Sequence, residues 1–343
     1  MRVSVIVATR NRPQELKKAL SAIASQAYQD IEIVVVDDGS GGENARDNKT
    51  LVDSLGNKAI YISLLSDGPK GNGPSYTRNV GIGRANGDLI AFCDDDDYWC
   101  DDQYIASAVN DFSTDSSLDL MFANQAAKAN GQVVGNVWLP LLVKTLASRG
   151  DLSKSGALVS KSDALTDGHA HMNTCVFRKD LLCEIGGFWE SVHYLEDLDL
   201  FVRAVDSARR IKYRHRTVSI HNIPDRTRAV NASTQLNSLE KAIVEANVAT
   251  HLTQCCRSIE ARRCANRIGG FAYRHLALAA STANDHRAAF IFAKVAWGWR
   301  PTFKWTAYTV FRGLRALLSG NSPRLQMVSV AKCGKIASYS NRS

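Results

Sequence analysis

Leu89-Ile90-Ala91-Phe92-Cys93-Asp94-Asp95-Asp96-Asp97-Tyr98-Trp99 is an apolar run that ends in four consecutive carboxylates and two aromatics. The apolar part is short and uninterrupted, as expected of a strand buried on both faces of a parallel sheet. Four adjacent like charges repel one another and resist burial, so they need a partner. A hard divalent cation, Mg²⁺ or Mn²⁺, is such a partner, and it binds through one or two carboxylates together with substrate phosphates. Ligands of open α/β sheets gather outside the carboxyl ends of the strands, which is where this acidic run would stand. A solvated acidic loop is the competing reading of the run taken alone.

The preceding chain favours the strand reading. Val3-Ser4-Val5-Ile6-Val7-Ala8 and Ile31-Glu32-Ile33-Val34-Val35-Val36 are β-branched and almost wholly apolar. Between them Pro13 opens a segment in which Leu16, Leu20, Ile23 and Ala27 recur at helical spacing. A helix over 43–55, a strand over 59–64, a Gly- and Pro-rich loop over 66–74 and a helix over 75–85 lead into the opening strand. This alternation predicts right-handed βαβ units and a doubly wound, mainly parallel sheet, an α/β class of fold. Thr9, Asp38 and Asp94 then share one sheet edge. The first turn lacks the glycine fingerprint of a dinucleotide site.

Val5-Ile6-Val7-Ala8-Thr9-Arg10-Asn11-Arg12, Val36-Asp37-Asp38-Gly39-Ser40, Thr77-Arg78-Asn79-Val80-Gly81-Ile82 and the acidic run occur in this order. Together they resemble the successive signatures of family 2 glycosyltransferases with the A-type fold, over roughly residues 1–225. The resemblance implies a nucleotide-sugar donor, usually a UDP- or dTDP-sugar, and transfer with inversion at the anomeric carbon. It places Thr9 and Arg12, with Arg10 and Asn11 of the same turn, beside the base and ribose. It pairs Asp38 with the pyrimidine and sets Arg78, followed by Asn79, near the diphosphate. Asp94 and Asp96 match the two acids of the metal motif, the second as direct ligand. Asp95 stands where the family has a small residue, within reach of the donor. Gly186-Gly187-Phe188 followed by Glu196-Asp197 and Arg203 is similar to the acceptor-side motif. Asp197 is the expected catalytic base and Glu196 its rival. His221 follows Val218-Ser219-Ile220 and is the histidine expected to approach the metal or diphosphate. His169, His171 and His215 read as surface or satisfied core residues.

The rest of the chain divides unevenly. A helix over 101–112, a strand over 118–125 and another over 131–138 are expected. The Ser-, Gly- and Lys-rich stretch 140–170 reads as a long binding loop, and 171–177 resumes as a strand. Domain limits follow: a catalytic domain over 1–225, with a nucleotide-binding half 1–100 and an acceptor half 101–225. A helical region over 226–320, interrupted at Gly269-Gly270, and a flexible tail over 321–343 complete it.

Among the 343 residues, 45% are hydrophobic and the net charge is +8. The first two hundred residues are net acidic and the remainder strongly basic, a split that argues for two surfaces with different partners. The helix expected over 303–318 carries Phe303, Ala307, Val310, Phe311, Leu314, Leu317 and Leu318 on one face, flanked by Lys304, Arg312 and Arg315. That is the pattern of a helix lying in a membrane interface, or of one packed on the catalytic domain or a second subunit. Eight cysteines without metal-finger spacing read as reduced thiols of a cytoplasmic protein. The expected partners are thus the nucleotide-sugar donor, a glycan or lipid-linked acceptor at the inner face of the plasma membrane, and a further copy of the chain; no nucleic-acid module is recognised. A sugar nucleotidyltransferase shares the architecture, but the basic glycine-rich phosphate loop it uses near the first strand is absent. A non-catalytic membrane- or nucleic-acid-binding protein working through the basic half is the rival from another class.

Overall fold

A computed structural model describes residues 1–318 apart from 67, 69–70, 130, 136–137, 154 and 224–235. The flexible tail expected over 321–343 lies outside the described residues. The elements run β1 (Val3–Thr9), α1 (Pro13–Ala24), β2 (Ile31–Asp37), α2 (Gly42–Asp53), β3 (Ala59–Ser63), α3 (Pro74–Arg84), β4 (Leu89–Phe92) and β5 (Tyr98–Trp99). They continue with α4 (Tyr104–Thr114), β6 (Leu118–Ala129), β7 (Gln132–Gly135), α5 (Pro140–Arg149), β8 (Ala157–Val159), α6 (Lys161–Ala164), β9 (Cys175–Arg178), α7 (Lys179–Glu184), α8 (Glu196–Ser207) and β10 (Arg210–Asn222). Four C-terminal helices follow: α9 (Ser238–Cys255), α10 (Ile259–Thr282), α11 (His286–Trp299) and α12 (Phe303–Leu318).

One sheet organises the molecule, in the order β3-β2-β1-β4-β9-β6-β10-β5, with β7 on β6 and β8 on β10. It is parallel from β3 to β4, β9 enters antiparallel between β4 and β6, and β6 pairs β10 in parallel. Side chains alternate across a strand, and the apolar runs use both faces. Val3, Val5 and Val7 join Leu16, Leu20 and Ile23 of α1 in one core. Ile6, Val34 and Val36 join Phe92, Phe122, Phe177 and Phe201 in the other. Gly81 of α3 packs against Ile6, where a Cβ would collide with its side chain.

Two expectations need correction. The stretch 140–170 is not one long loop: Pro140 starts α5, Leu142 and Leu146 bury one turn apart, and Gly150 closes the helix at φ 74°. Ser160 then caps α6 in a reciprocal box with Asp163. Nor is α10 broken at Gly269-Gly270. These glycines let Trp299 and Arg300 approach the helix closely, since a Cβ at either would collide with those residues. A small core of Ala277, Ala293, Ala296 and Trp305 joins α10, α11 and α12. Among the described residues no helix is long and apolar enough to cross a membrane.

Candidate active site

The site is built at the carboxyl ends of β1, β2 and β4, as the strand pattern requires. After β4 the chain makes a tight turn, with Asp97 N–H donating to the Asp94 carbonyl at 3.2 Å, so the four carboxylates fan in different directions. Asn173, fully buried, clamps both ends of that turn. Its Oδ1 accepts from Asp94 N–H at 2.9 Å and its Nδ2 donates to Asp97 Oδ2 at 2.6 Å. Trp99 Nε1 donates to its carbonyl at 2.8 Å.

Each aspartate acquires a separate environment. Asp95 accepts from Thr9 Oγ1 at 2.8 Å and from Arg12 at 3.1 Å. Burial and the adjacent Asp96 charge raise its carboxyl to about 7, against the pull of Arg12 and Thr9. Asp96 takes the same guanidinium at 3.0 Å. Asp94 pairs with Arg78 at 2.7 Å and is held below the usual carboxylate range, the Arg78 charge overcoming burial. Asp97, its side chain wholly buried, accepts from Asn222 N–H at 2.8 Å and lies 2.9 Å from His221 Nδ1. Burial raises its carboxyl to about 6 in spite of His221.

Asp97, His171 and His221 each offer a ligand atom within 4.8 Å of the others. His171 Nε2 also lies 3.9 Å from Asp94. The expected set was Asp94, Asp96 and His221; the cluster that forms keeps His221, but Arg12 draws Asp96 away and the turn brings Asp97 in. His171 is poised as a neutral ligand, because burial lowers it to about 4. This is a mixed nitrogen and oxygen donor set, which suits Mn²⁺ better than the oxygen-seeking Mg²⁺.

Across the cleft, Arg78 bridges the two motifs. Its guanidinium pairs with Asp94 and, at 3.1 Å, with Glu196, while Phe188 packs on it at 5.4 Å. Asp197 Oδ2 lies 3.0 Å from His169 Nε2. Asn79, expected beside the donor, donates to the Phe188 carbonyl at 2.9 Å and to Glu190 at 2.7 Å, and accepts from Phe188 N–H at 2.8 Å. It therefore holds the Gly186-Gly187-Phe188 turn against α3. Asp38 closes the glycine-rich loop, accepting from Asn72 N–H and Nδ2 at 2.8 Å each and from Gly73 N–H at 3.0 Å. Arg10 donates to the Gly68 carbonyl of that loop at 3.0 Å, and Asn11, at φ 55°, accepts from Gly41 N–H at 2.9 Å.

Sequence reasoning missed His169, His171 and Asn173. The signal for them is their spacing: three polar residues at alternate positions just before a buried strand.

A doubly wound sheet with an acidic turn at the end of its fourth strand is the A-type glycosyltransferase fold. Residues 4–150 match the family model described as Glycosyl transferase family 2. The chain is 36% identical over 96 residues to the GalNAc(5)-diNAcBac-PP-undecaprenol beta-1,3-glucosyltransferase of Campylobacter jejuni, covering 28% of this chain and 30% of that one. It is 24% identical over 264 residues to the succinoglycan biosynthesis protein ExoU of Rhizobium meliloti, covering 71% and 73% of the two. Among solved structures it resembles TarS 1–349 of S. aureus in complex with UDP-GlcNAc, with a TM-score of 0.66 and 19% identity over 92% of this chain and 88% of that one. The match to the Campylobacter protein spans under a third of that relative's own length. Over residues 4–150 the chain thus carries the pattern of glycosyltransferase family 2.

Proposed function

We propose that the protein transfers a sugar, with inversion, from a UDP- or dTDP-sugar to a hydroxyl of a glycan or lipid-linked acceptor in surface polysaccharide synthesis. The observation that carries this reading is the facing of two motifs across Arg78: the acidic turn with His171 and His221 on one side, Glu196 and Asp197 on the other. The names of the two relatives support a polysaccharide or lipid-linked context.

Asp97, His171 and His221 would hold a divalent ion, Mn²⁺ in preference to Mg²⁺, whose bound charge neutralises the departing diphosphate. Thr9 and Arg12 orient the turn on which the donor rests. Among the described residues Gly73 N–H is the one donor to Asp38 Oδ2, which leaves a lone pair there for the N3–H of a pyrimidine. Asp197 accepts the proton of the acceptor hydroxyl as that oxygen attacks the anomeric carbon. Inversion follows from attack opposite the diphosphate, with no covalent intermediate on the enzyme. Glu196 is instead paired with Arg78.

The lipid-linked reading draws on α12. Phe303 is 93% exposed and Leu317 and Leu318 are over 80% exposed, beside Lys304 and Arg315. We place this face on the anionic inner surface of the plasma membrane.

A panel of nucleotide sugars screened for thermal stabilisation with Mn²⁺ or EDTA tests the donor assignment, because a bound ligand raises stability by mass action. The true donor should stabilise the protein only with metal, and its product should show the inverted anomeric configuration by NMR. Stabilisation by nucleoside triphosphates and sugar phosphates instead would replace this reading with a nucleotidyltransferase.

A further inference from the structure

An open cavity of about 820 Å³ lies between the segment 186–191, the second half of α8 and the end of α9. None of Asp94 to Asp97, Glu196 or Asp197 lines it. Its size is within the range of small-ligand pockets. On its wall, Cys255 Sγ stands 3.2 Å from His251 Nε2, and His251 Nδ1 stands 2.7 Å from Asp199 Oδ1. Cys255 is exposed, whereas Asp199 is wholly buried.

The partners fix the tautomer of this histidine. Asp199 is also held by Arg203, at 2.7 Å from Nε and 2.6 Å from Nη2, so it is an ionised acceptor. An ionised carboxylate cannot donate, so the proton between it and Nδ1 belongs to the imidazole. Nε2 is left with a lone pair, and that lone pair faces the sulfur. The ring is further pinned by Trp189, stacked on it at 4.0 Å between centroids and 11° between planes. Sulfur, imidazole and buried carboxylate thus stand in the order used to activate nucleophiles, the base being oriented by a third group. Partial burial holds the thiol above its ordinary value, so it rests protonated and is activated only as Nε2 takes its proton.

We infer that Cys255 is a nucleophilic thiol and a modification site for hydrophilic low-molecular-weight disulfides, with the neighbouring cavity receiving the adduct. The Cys255 sulfur attacks one sulfur of the disulfide while its proton passes to His251 Nε2. A new bond joins Cys255 to that sulfur, and the original sulfur–sulfur bond breaks. The departing thiolate takes the proton back from the imidazolium. Cys255 is oxidised to a mixed disulfide and half of the reagent is reduced to thiol. Asp199 stabilises the transient imidazolium. Glu190, Ser191 and Arg257 on the cavity wall suit a polar adduct rather than an apolar one.

The test uses the intact chain with oxidised glutathione, following each cysteine by peptide mass spectrometry. Cys100 and Cys183 are exposed as well and serve as internal references. Cys255 should be modified first, at least about tenfold faster than either, which is below the usual worth of general-base assistance. His251→Gln should slow Cys255 by a similar factor and leave the rates at Cys100 and Cys183 unchanged. Modification of Cys255 no faster than the two references overturns the assignment in the wild-type protein alone, without need of a variant that folds. An undiminished rate in folded His251→Gln overturns it equally.

Discussion

Asp197 Oδ2, in the first turn of α8, and His169 Nε2 lie 3.0 Å apart, both half-buried. Burial alone would raise this carboxyl. The charge of His169 and its hydrogen bond, aided by His171 and the Leu198 N–H, instead hold it well below the usual carboxylate range. Its neighbour Glu196 is raised, because burial and the Asp197 charge outweigh Arg78. Two adjacent acids are thereby driven apart in acidity, the arrangement by which one of a pair stays ionised for its task.

Asp197→Asn should lower kcat by roughly 10²–10⁴-fold while leaving metal-dependent donor binding unchanged. The sign of the pH dependence follows from the lowered value. Asp197 stays ionised as pH falls through the ordinary carboxylate range, so its acid limb lies below that range. His169→Gln keeps a donor but removes the charge, and should move the limb upward. Near-full activity of Asp197→Asn in a steady-state assay would sink the assignment, and Glu196→Gln would then be the variant to measure.

Donor binding should depend on a cation held by the histidine side of the acidic turn. UDP or dTDP should bind far better with Mn²⁺ than with EDTA by calorimetry, and His221→Ala or Asp97→Ala should abolish the difference. Asp96→Ala separates the two candidate ligand sets: metal dependence retained points to Asp97 with His171 and His221, and metal dependence lost points to Asp96 itself. Equal affinity with and without metal in the wild type refutes a metal-bridged donor.

Glu32 supplies a test of the scaffold that does not involve the site. It is buried in β2, where it accepts from Ser4 Oγ and Asn86 N–H and lies 3.4 Å from Arg2. Burial opposes its ionisation, but these donors together hold it below its ordinary value of 4.5. A carboxylate lowered on folding stabilises above its unfolded value and loses that contribution as pH falls through the folded one. Glu32→Gln should therefore cost about 1.5–3 kcal/mol at pH 7 by denaturant unfolding, as expected for hydrogen bonds to a charged group. The gap should narrow on acidification below pH 4.5; a gap constant down to pH 2 contradicts the argument.

Removal of residues 300–318 and all that follows should release the protein from acidic liposomes in a flotation assay without loss of donor binding. Each basic residue near such a surface is worth about 1 kcal/mol. If the truncated protein unfolds or changes its oligomeric state, α12 is a packing element and the membrane reading fails.

The parts of this molecule that could be read from sequence are those where one physical demand dominates. Val3 to Ala8 and Ile31 to Val36 admit little but strands buried on both faces, and the limits of α12 follow its apolar period. Where several demands compete, the sequence is silent. Leu142 and Leu146 are too few to mark α5 against a Ser- and Gly-rich background, and Gly269-Gly270 resembles a break although it serves a close approach. Which of four consecutive aspartates meets the histidines depends on one backbone turn and on where Arg12 reaches, neither of which has a period. His169 and His171 acquire meaning only from partners that are near in space and, for Asp197, 28 positions along the chain.

β10 lies between β6 and β5 in the sheet, and its irregular register near Thr217 precedes the His221 and Asn222 that seize Asp97. The acidic turn and its histidine are thus separated by more than a hundred positions of chain, and synthesis proceeds from one to the other. A nascent polypeptide that has emerged only as far as α8 already displays the four aspartates, His171 and Asn173 but still lacks His221 and Asn222. The site closes when the last strand inserts, so catalytic competence arrives late in the life of each molecule, after the sheet is finished and not while it is being laid down.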